Sequence, residues 1–360
     1  MRLLDLSRYL PGPYATLLLQ DLGADVLKVE EPGLGDPTRW VAPDVEGVST
    51  LFAILNAGKR SVTIDLRKPE GRDLLRELAR GADVLVESFR PGVMARAGLA
   101  YEDLSHENER LVYCAITGYG QAGPRQDRAG HDLNYQALAG ILSPGPSGAD
   151  DAMPALPIAD IAGGALPAVI GILGALLARE RTGRGQLVDV SMLAGSLALQ
   201  PYALSRLLGG RSAEEPTELT GALPCYATYR TSDGHRMALA ALEPKFWQGF
   251  CRAVGRDDLA PRQFDEGPAR TEVFAALRAI FAGRTLAAWR EIAASHDVCL
   301  EPVLALRETG IPETPSPATL RGTRRSPRGA APALGQHTDD VLASLEVDDA
   351  ERARLRAGTQ

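Results

Sequence analysis

The sequence contains little cysteine, and its acidic residues outnumber its basic ones. Four of the 360 residues are cysteine and no two form a C-x-x-C pair, so the pattern fits neither a disulfide framework nor a zinc site. We expect buried free thiols in a reducing cytoplasm. The net charge of -7 argues against a general binder of nucleic acid or membrane surfaces. An anionic ligand therefore requires a local group of basic residues.

Long apolar runs are also scarce. Charged residues interrupt the N-terminal stretch MRLLDLSRYL, which lacks the cleavage site of a signal peptide, so we expect no export and a cytoplasmic location. Residues 161–178, IAGGALPAVIGILGALLA, have nearly the length of a membrane span, but they contain Pro167 and several small residues and stand alone in an acidic chain. We interpret this segment as a buried core helix.

Phosphate-binding fingerprints are missing from the glycine pattern. The motif G-x-x-x-x-G-K-[ST] does not occur, and GYGQAG at 118–123 has loosely spaced glycines that do not lead from a strand directly into a helix. The sequence therefore does not favour a nicotinamide or ATP site.

The first half of the chain alternates short β-branched runs with helical patterns. The runs DVLKVE, RSVTIDL, DVLVESF and RLVYCAITGYG alternate with patterns such as GPYATLLLQDLGA and PEGRDLLRELARGA. Pro69 and Glu70 open one of these helices at the position that proline prefers. The alternation predicts an α/β fold with a parallel sheet covered by helices.

A chain of this length is too long for one ordinary domain. Residues 209–224 are polar and contain glycine and proline, which predicts a linker after a large α/β domain at 1–208. A hairpin pattern around a Ser-Asp-Gly turn predicts a small α+β domain at 225–306. Residues 307–360 begin rich in proline and arginine and are predicted to return across the large domain.

Histidine is scarce enough for each one to be weighed. Four of the five are expected to be solvated or to cap a helix: His106, His235, His296 and His337. His131 differs, because it stands with Asp132 between a glycine and the first turn of a predicted helix. Backbone N–H groups at a helix start favour negative charge and would hold an imidazole at a defined angle. The alternative is a packed histidine with Asp132 as the helix cap.

Two further acidic residues are candidates for the same chemistry. Asp160 precedes a glycine pair and the apolar helix, where its carboxylate would lie at the buried helix start; an ordinary N-cap is the alternative. Facing His131 across a pocket, it would complete a pair that takes a proton from one side of a carbon and returns it to the other. Glu243, just before Pro244, is either an exposed loop carboxylate or a group that orients an imidazole.

Basic residues suited to a phosphate follow one predicted strand. Arg90 and Arg96, in SFRPGVMARAGL, flank a turn at what would be the carboxyl edge of the sheet. A solvated surface position is the alternative for both.

Eight stretches, spread almost from end to end, resemble one protein family. They are LDLSRYLPGPYATLLLQDLGADVLKVEEPG, GKRSVTIDLRKPEGRDLL, DVLVESFRPGVM, GYGQAGPRQDRAGHDLNYQALAG, ARERTGRGQLVDVSML, TYRTSDG, LEPKFW and GQHTDDVL. On these residues the sequence resembles the family III CoA-transferase superfamily. Within it, GHDLNY and LEPKFW resemble the alpha-methylacyl-CoA racemases, because the transferases commonly have a residue other than histidine before that aspartate.

The resemblance implies a fold and an assembly. The fold would be a large Rossmann-like domain with a parallel sheet, which binds CoA, plus a small α+β domain. The assembly would be an interlocked homodimer of ring-like subunits, with the active site between the large domain of one chain and the small domain of its partner. The implied substrate is an acyl-CoA thioester. No redox, metal or nucleotide cofactor, no nucleic acid and no membrane is implied.

The resemblance also assigns roles to residues. His131 and Asp160 match the catalytic acid/base pair of the family, and Glu243 matches the glutamate that supports the histidine. The family's CoA contacts fall on Ile64, Asp65, Leu66, Arg67, Arg90, Arg96, Gly130, Asp132, Leu133, Asn134 and Tyr135.

One departure from the family concerns the nucleotide phosphates. Related racemases have an arginine before PG near residue 31, whereas this chain has Glu31 in VEEPG. One contact to the nucleotide phosphates is therefore either missing or replaced, with Lys28 and Arg39 as the candidates for replacement.

The implied reaction is interconversion of the (R) and (S) forms of a 2-methyl-branched acyl-CoA by proton transfer at the α-carbon. The main alternative is a CoA-transferase in which Asp160 attacks an acyl-CoA and forms an acyl-aspartyl anhydride. A third possibility is a non-catalytic dimer that binds acyl-CoA without turnover.

Overall fold

The computed structural model describes residues 1–142, 156–212, 217–311, 315–318, 320 and 328–360. These residues divide into two compact units. The first unit consists of the described residues within Met1–Leu142, Met153–Pro201 and Glu313–Gln360, and the second of those within Tyr202–Pro312. Parts of the predicted linker and of the predicted return segment lie outside the described residues, namely 213–216, 312–314, 319 and 321–327.

The strands of the described residues form three sheets. They are β1 Arg2–Asp5, β2 Asp25–Glu30, β3 Asp44–Val45, β4 Val48–Ser49, β5 Arg60–Thr63, β6 Val84–Glu87, β7 Val112–Thr117, β8 Leu187–Ser191, β9 Tyr226–Arg230, β10 Arg236–Ala240 and β11 Leu300–Pro302. In the first unit, six strands form a parallel sheet in the order β5-β2-β1-β6-β7-β8, and β3 and β4 form a hairpin. The predicted α/β fold class is confirmed.

The helices follow the predicted alternation with the strands. They are α1 Pro11–Asp21, α2 Thr50–Asn56, α3 Pro69–Arg80, α4 Val93–Arg96, α5 Tyr101–Ser105, α6 Asp132–Leu138, α7 Ile158–Asp160, α8 Leu166–Thr182, α9 Met192–Ala198, α10 Pro201–Leu208, α11 Pro244–Ala253, α12 Gly267–Ala282, α13 Leu286–Ser295, α14 Thr338–Ala343 and α15 Asp349–Arg356. As the sequence predicts, proline opens α3.

The parallel strands are apolar on both faces because helices cover both. On one face, Leu3 of β1 and Val84 of β6 pack in the same core as Ala168 of α8. On the other face, Leu4 of β1 packs in a second core with Leu74 of α3. Continuous burial of this kind is what a doubly covered parallel sheet requires of its strands.

The strand order reverses between β1 and β6. From β1 the chain runs outward to β2 and β5 on one side, and from β6 it runs to β7 and β8 on the other. In open α/β sheets, ligands bind outside the carboxyl ends of the strands at such a reversal. Residues 6–10 after β1 and 88–91 after β6 are therefore placed where a ligand is expected.

Helix α8 continues a helical run that begins at Ile158. The run Ile158–Thr182 is long and apolar enough, by length and composition, to span a membrane, with a mean hydropathy of 2.2. Ile172 on its inner face is buried against the sheet, whereas on its outer face Ile170 is 71% exposed and Leu177 is 60% exposed. The interpretation as a buried core helix is therefore correct for one face only.

The end of the chain packs against the edge strand of the large sheet. The N–H of His337 donates to the carbonyl of Ser61 in β5 (2.9 Å), and the Ser61 N–H donates to His337 Nδ1 (3.1 Å). His337 thus continues the hydrogen bonding of the edge strand, and its imidazole is partly buried rather than solvated.

The second unit has its own sheet and core. Strands β9, β10 and β11 form an antiparallel sheet with β10 in the centre, and α11, α12 and α13 contribute the buried Phe250, Phe281 and Trp289. The rings of Phe281 and Trp289 stack with centroids 4.4 Å apart. The cysteines are free thiols, and all but the half-buried Cys299 are buried.

Candidate active site

A cavity of about 570 Å³ lies outside the carboxyl ends of β1, β6 and β7. Its volume is that of a small-molecule site. The loops after these strands and the start of the long helical run contribute its polar wall, which includes Arg8, Tyr9, Arg90, His131 and Asp160. Two candidate acid/base residues separated in sequence therefore line one cavity.

His131 occupies the position before the first residue of α6, with an exposed side chain. Its backbone N–H donates to Asn134 Oδ1 (3.0 Å), and its carbonyl accepts from the Asn134 N–H (2.8 Å). These reciprocal bonds close the first turn of α6. Asn134 therefore caps this helix, and the alternative in which Asp132 is the cap is wrong. The imidazole is left facing the cavity.

Asp132 instead connects α6 to α7. Its Oδ1 accepts the backbone N–H of Asp160 (2.9 Å), and its Oδ2 accepts the side-chain amide of Gln136. The carboxylate of one residue in the GHDLNY stretch thereby sets the position of the second catalytic candidate.

Asp160 is the last residue of α7 and has helical dihedrals, with φ -66° and ψ -46°. It is not an N-cap, because the helical run passes through it into a π-helical turn at Ile161–Ala165 and then into α8. The N–H of Ile161 donates to the Pro157 carbonyl (3.0 Å), which closes the preceding turn. π-Helical turns such as Ile161–Ala165 are frequently found at functional sites.

The glycines after Asp160 are explained by close packing. A Cβ at Gly163 would lie 2.6 Å from the hydroxyl oxygen of Ser196 in α9, and one at Gly195 would collide with the carbonyl of Gly163. Only residues without a side chain allow α9 to approach the π-helical turn so closely. Asp160 therefore lies about one helical turn before a contact between the π-helical turn and α9 that leaves no room for a side chain.

The environment of Asp160 favours its protonated form. Burial of the carboxyl group, with a further contribution from the negative charge of Asp132, raises the pKa of Asp160 to about 6. A carboxyl group with such a pKa exchanges protons near neutral pH, as a general acid or base must.

A second cavity, of about 220 Å³, adjoins the first. Ile64, Asp65, Leu66 and Arg67 line it, together with residues of α4 and the turn before α4. Arg8 and Phe89 line both cavities, and the Arg8 guanidinium lies 5.1 Å from the centre of the Phe89 ring. The predicted CoA-contact turn and the catalytic candidates therefore lie along one continuous surface of the first unit.

Glu31 lies in the second cavity between two arginines. Its carboxylate pairs with Arg67 Nη1 at 3.2 Å and with Arg8 Nη2 at 3.5 Å. Arg67 also binds Asp65 through two side-chain hydrogen bonds (2.8 and 3.1 Å), which holds the turn after β5. Where the family arginine is missing, this chain thus has two arginines around an acid.

Lys28 and Arg39 line neither cavity. Lys28 is fully buried and pairs with Asp36 at 2.9 Å, while Arg39 makes a two-point contact to Glu30 at 2.7 and 2.8 Å. Both side chains are engaged in buried ion pairs, so the expectation that one of them replaces the phosphate contact is corrected.

The remaining predicted contacts divide into two groups. Arg90, Gly130 and Tyr135 line the larger cavity. The Tyr135 hydroxyl donates to the Gly130 carbonyl (2.6 Å) and pins the loop before α6. The other predicted contacts line neither cavity: Arg96, Asp132, Leu133 and Asn134.

Sequence reasoning missed several residues that line the larger cavity: Arg8, Tyr9, Tyr119 and Arg128. Arg8 and Tyr9 follow β1, and their position could have been found from the rule that ligand sites lie at the ends of the central strands. No local motif marks them, since they become neighbours of His131 only through the sheet order.

Glu243 belongs to the second unit and is not part of the cavity lining. It occupies the position before α11, where its side chain is exposed and caps no backbone N–H.

Comparison with known proteins decides the family. The sequence profile of "CoA-transferase family III" matches residues 1–338. The chain belongs to CoA-transferase family III. Among relatives, it is 36% identical to alpha-methylacyl-CoA racemase of Homo sapiens, covering 94% of this chain and 90% of that protein. It is 33% identical to succinyl-CoA:glutarate CoA-transferase of Mus musculus, covering 95% and 85%.

A solved structure of the same family confirms the fold. The crystal structure of a CAIB/BAIF family protein from Brucella suis superposes with a TM-score of 0.81 at 32% identity, covering 96% of this chain and 98% of that one. Family III CoA-transferases thus include racemases and transferases at similar identity to this chain, and the chain is a member of an enzyme family.

Proposed function

We propose that this protein racemises 2-methyl-branched acyl-CoA thioesters through an enolate. The observation that carries the proposal is the presence of His131 and Asp160 on the wall of one cavity. A racemase needs a proton acceptor and a proton donor on opposite faces of the α-carbon, and this pair places an imidazole and a carboxyl group on one cavity.

In the proposed reaction, His131 removes the α-proton of one enantiomer and Asp160 returns a proton to the other face. In the opposite direction the two residues exchange these roles. Asp160 must then be protonated in one resting form, and its raised pKa of about 6 supports that requirement.

The enolate oxygen requires hydrogen-bond donors, because a thioester α-carbon is only weakly acidic. In the first turn of α6, the Asn134 N–H donates to the His131 carbonyl (2.8 Å), whereas the N–H groups of Asp132 and Leu133 have no acceptor within the helix. Asp132 and Leu133 follow His131 directly but do not line its cavity, so the thioester oxygen would have to extend beyond the cavity wall to reach these two N–H groups. No redox, metal or nucleotide cofactor takes part in this scheme.

The CoA part of the substrate is proposed to lie along the second cavity. The apolar side chains of Ile64 and Leu66 would contact its nucleotide, with Arg67, Arg8 and Arg90 near its phosphates. These local cations provide the basic group that an overall acidic chain requires.

Glu243 is proposed to support His131 from the small domain of a partner chain. The active site would then be completed in an interlocked homodimer, and a carboxylate in that position would orient the imidazole as in other catalytic triads. The exposed position of Glu243 before α11 leaves its carboxylate free of a capping bond.

The second candidate function is CoA transfer between carboxylic acids. It is favoured by relatives such as succinyl-CoA:glutarate CoA-transferase at nearly the same identity. In that reaction Asp160 attacks the thioester carbonyl, and the CoA thiolate leaves as an acyl-aspartyl anhydride forms. The thiolate then attacks the aspartyl carbonyl and releases the first acid, which leaves CoA bound to Asp160 as a thioester. The second carboxylate displaces CoA from Asp160 as a new anhydride, and the thiolate attacks its acyl carbonyl to give the second acyl-CoA and free Asp160. His131 would then be dispensable.

The test is to incubate the purified protein with one enantiomer of a 2-methylacyl-CoA in deuterated water without an acceptor acid. Racemisation predicts deuterium at the α-carbon together with loss of optical purity, and the His131→Ala variant should no longer interconvert the enantiomers. Mass spectrometry and chiral separation measure both.

Two other outcomes would contradict the racemase proposal. No exchange, followed by CoA transfer once a second carboxylic acid is added, would establish the transferase. Binding of acyl-CoA with neither exchange nor transfer would establish a non-catalytic binding protein.

A further inference from the structure

Tyr9 has a backbone conformation that tyrosine rarely adopts. Its φ is +65°, in the left-handed region where glycine and asparagine are usual. It lies in the turn between β1 and α1 and lines the same cavity as His131 and Asp160. Strained residues of this kind persist where the surrounding structure forces them, and they concentrate at ligand sites.

A buried ion pair forms hydrogen bonds to the two peptide groups that flank Arg8. Lys28 Nζ donates to the Ser7 carbonyl (3.0 Å), and Asp36 Oδ1 accepts the Tyr9 N–H (3.3 Å). Lys28 and Asp36 pair with each other at 2.9 Å, and their side chains are 0% and 1% exposed. The Arg8 N–H is held as well, by Ser88 Oγ at 2.9 Å. The turn is therefore built by the core and does not adjust freely.

Folding alone does not explain a tyrosine at this position. Tyr9 as a residue is 55% exposed, so within the described chain its ring gains little burial to offset the strained backbone. The described residues offer no hydrogen bond to its hydroxyl group. Glycine would fit the conformation at lower cost, which indicates that the side chain itself is used.

We infer that Tyr9 is a specificity-determining residue whose ring forms the wall of the cavity against which the acyl chain of the thioester packs. The inference rests on the proposed acyl-CoA substrate. Apolar residues that line the same cavity include Leu10, Leu51 and Met192, which suits an aliphatic chain, while Arg8 also lines the second cavity, where the CoA part is proposed to lie. The strained turn aims the ring at this chain.

The experiment compares Tyr9→Gly and Tyr9→Phe with a matched control, Glu46→Gly. Glu46 is the other suitable position, because it also has a positive φ (+53°), is exposed, lies in the turn between β3 and β4 and does not line the cavity. Both glycine variants relieve the same backbone strain and add the same freedom to the unfolded chain. Only the Tyr9 variant removes a cavity wall.

We expect the melting temperatures of Tyr9→Gly and Glu46→Gly to be no lower than that of the unsubstituted protein. Calorimetry should show that Tyr9→Gly weakens binding of a long 2-methylacyl-CoA by about tenfold, the effect of losing one aromatic contact, with binding of free CoA unchanged. KM for the same thioester should rise in parallel. Tyr9→Phe should bind both ligands as before, and Glu46→Gly should change neither.

Three results would overturn the inference. A fall of several degrees in the melting temperature of Tyr9→Gly alone would make Tyr9 a packing residue. Unchanged acyl-CoA binding would show that the ring touches no substrate, and an equal loss for acyl-CoA and free CoA would place it on the CoA part. Calorimetric binding does not require turnover. A protein that binds acyl-CoA but does not racemise it would therefore contradict the proposed function, while the effect of the Tyr9 substitutions on binding could still be measured.

Discussion

At the residue scale, the structure gives different environments to two neighbouring carboxylates. Asp132 accepts hydrogen bonds from the Asp160 backbone and the Gln136 side chain, and Asp160 is buried beside it with a pKa raised to about 6. A carboxyl group whose pKa is raised by burial and by a neighbouring carboxylate is typical of acid/base sites. Asp132 thus acts on the proposed chemistry through Asp160 rather than through the substrate.

Replacing Asp132 with asparagine should lower the pKa of Asp160. Asparagine keeps an oxygen that accepts the Asp160 N–H but removes the negative charge, so the ionised form of Asp160 becomes easier to reach by roughly half to one pH unit. As the pH rises, kcat/KM in the direction that uses Asp160 as the acid should then begin to fall at a lower pH than in the unsubstituted protein. The direction that uses it as base should keep its rate to a lower pH.

The measurement is kcat/KM against pH from 5 to 8 for each enantiomer. Asp127→Asn is the control, because Asp127 is an exposed acid on the same loop and does not line the cavity. Identical profiles for Asp132→Asn and the unsubstituted protein would refute the role of Asp132.

At the element scale, the position of Asp160 depends on how α9 packs against the π-helical turn. Gly163 and Gly195 are the contact, and Ser191 caps α9 by accepting the Ala194 N–H (3.2 Å). The predicted apolar helix is thus not a regular α-helix throughout, because it contains a π-helical turn at Ile161–Ala165. Its first turns are shaped by a neighbour that lies later in the sequence, and Asp160 is carried on those turns.

Gly195→Ala should destabilise the fold by about 1 to 3 kcal/mol and lower kcat, because the added methyl group collides with the Gly163 carbonyl and displaces the turn that carries Asp160. Gly174→Ala in α8 is the control, since a Cβ there meets no atom within 4 Å, and alanine should stabilise that helix by about 0.5 to 1 kcal/mol. Urea unfolding and steady-state kinetics measure both. Equal stabilities for the two variants would contradict this packing argument.

At the scale of the whole molecule, the outer face of α8 is apolar and exposed within one chain. Ile170, Leu173 and Leu177 are 71%, 41% and 60% exposed. A contiguous apolar surface of this kind marks a contact with another protein or a membrane. The proposed homodimer offers the occupant that the family resemblance implies.

A charge at the centre of this face should weaken that dimer. We expect Ile170→Glu to shift the mass measured by light scattering from two chains toward one, because an unpaired carboxylate would have to lose its water on association. Arg181→Glu, an exposed charge change on the same helix, should leave the mass of the dimer unchanged. An unsubstituted protein with the mass of a single chain would contradict the homodimer itself.

Local patterns accounted for more of the fold than of the site. The helix at Pro69 and the buried strand DVLVE depend on residues close in sequence, so a proline at a first turn or a run of apolar residues was sufficient to predict them. Arg8 and Tyr9 carry no such mark. Lys28 as a replacement phosphate contact was a wrong prediction, because Lys28 is buried in an ion pair with Asp36. Asp36 lies in a later turn, and no pattern around Lys28 indicates that the two residues meet.

The sequence by itself determined the α/β class, the family and the identity of His131 and Asp160 as candidates, because periodicity, turn residues and extended motifs are properties of neighbouring residues. Only the tertiary structure decided that Asp132 holds Asp160 across 28 residues, that two arginines surround Glu31, and that a buried ion pair holds Tyr9 in a strained turn beside them. Burial, charge and strain at these positions arise from contacts between distant segments, and no local pattern contains them.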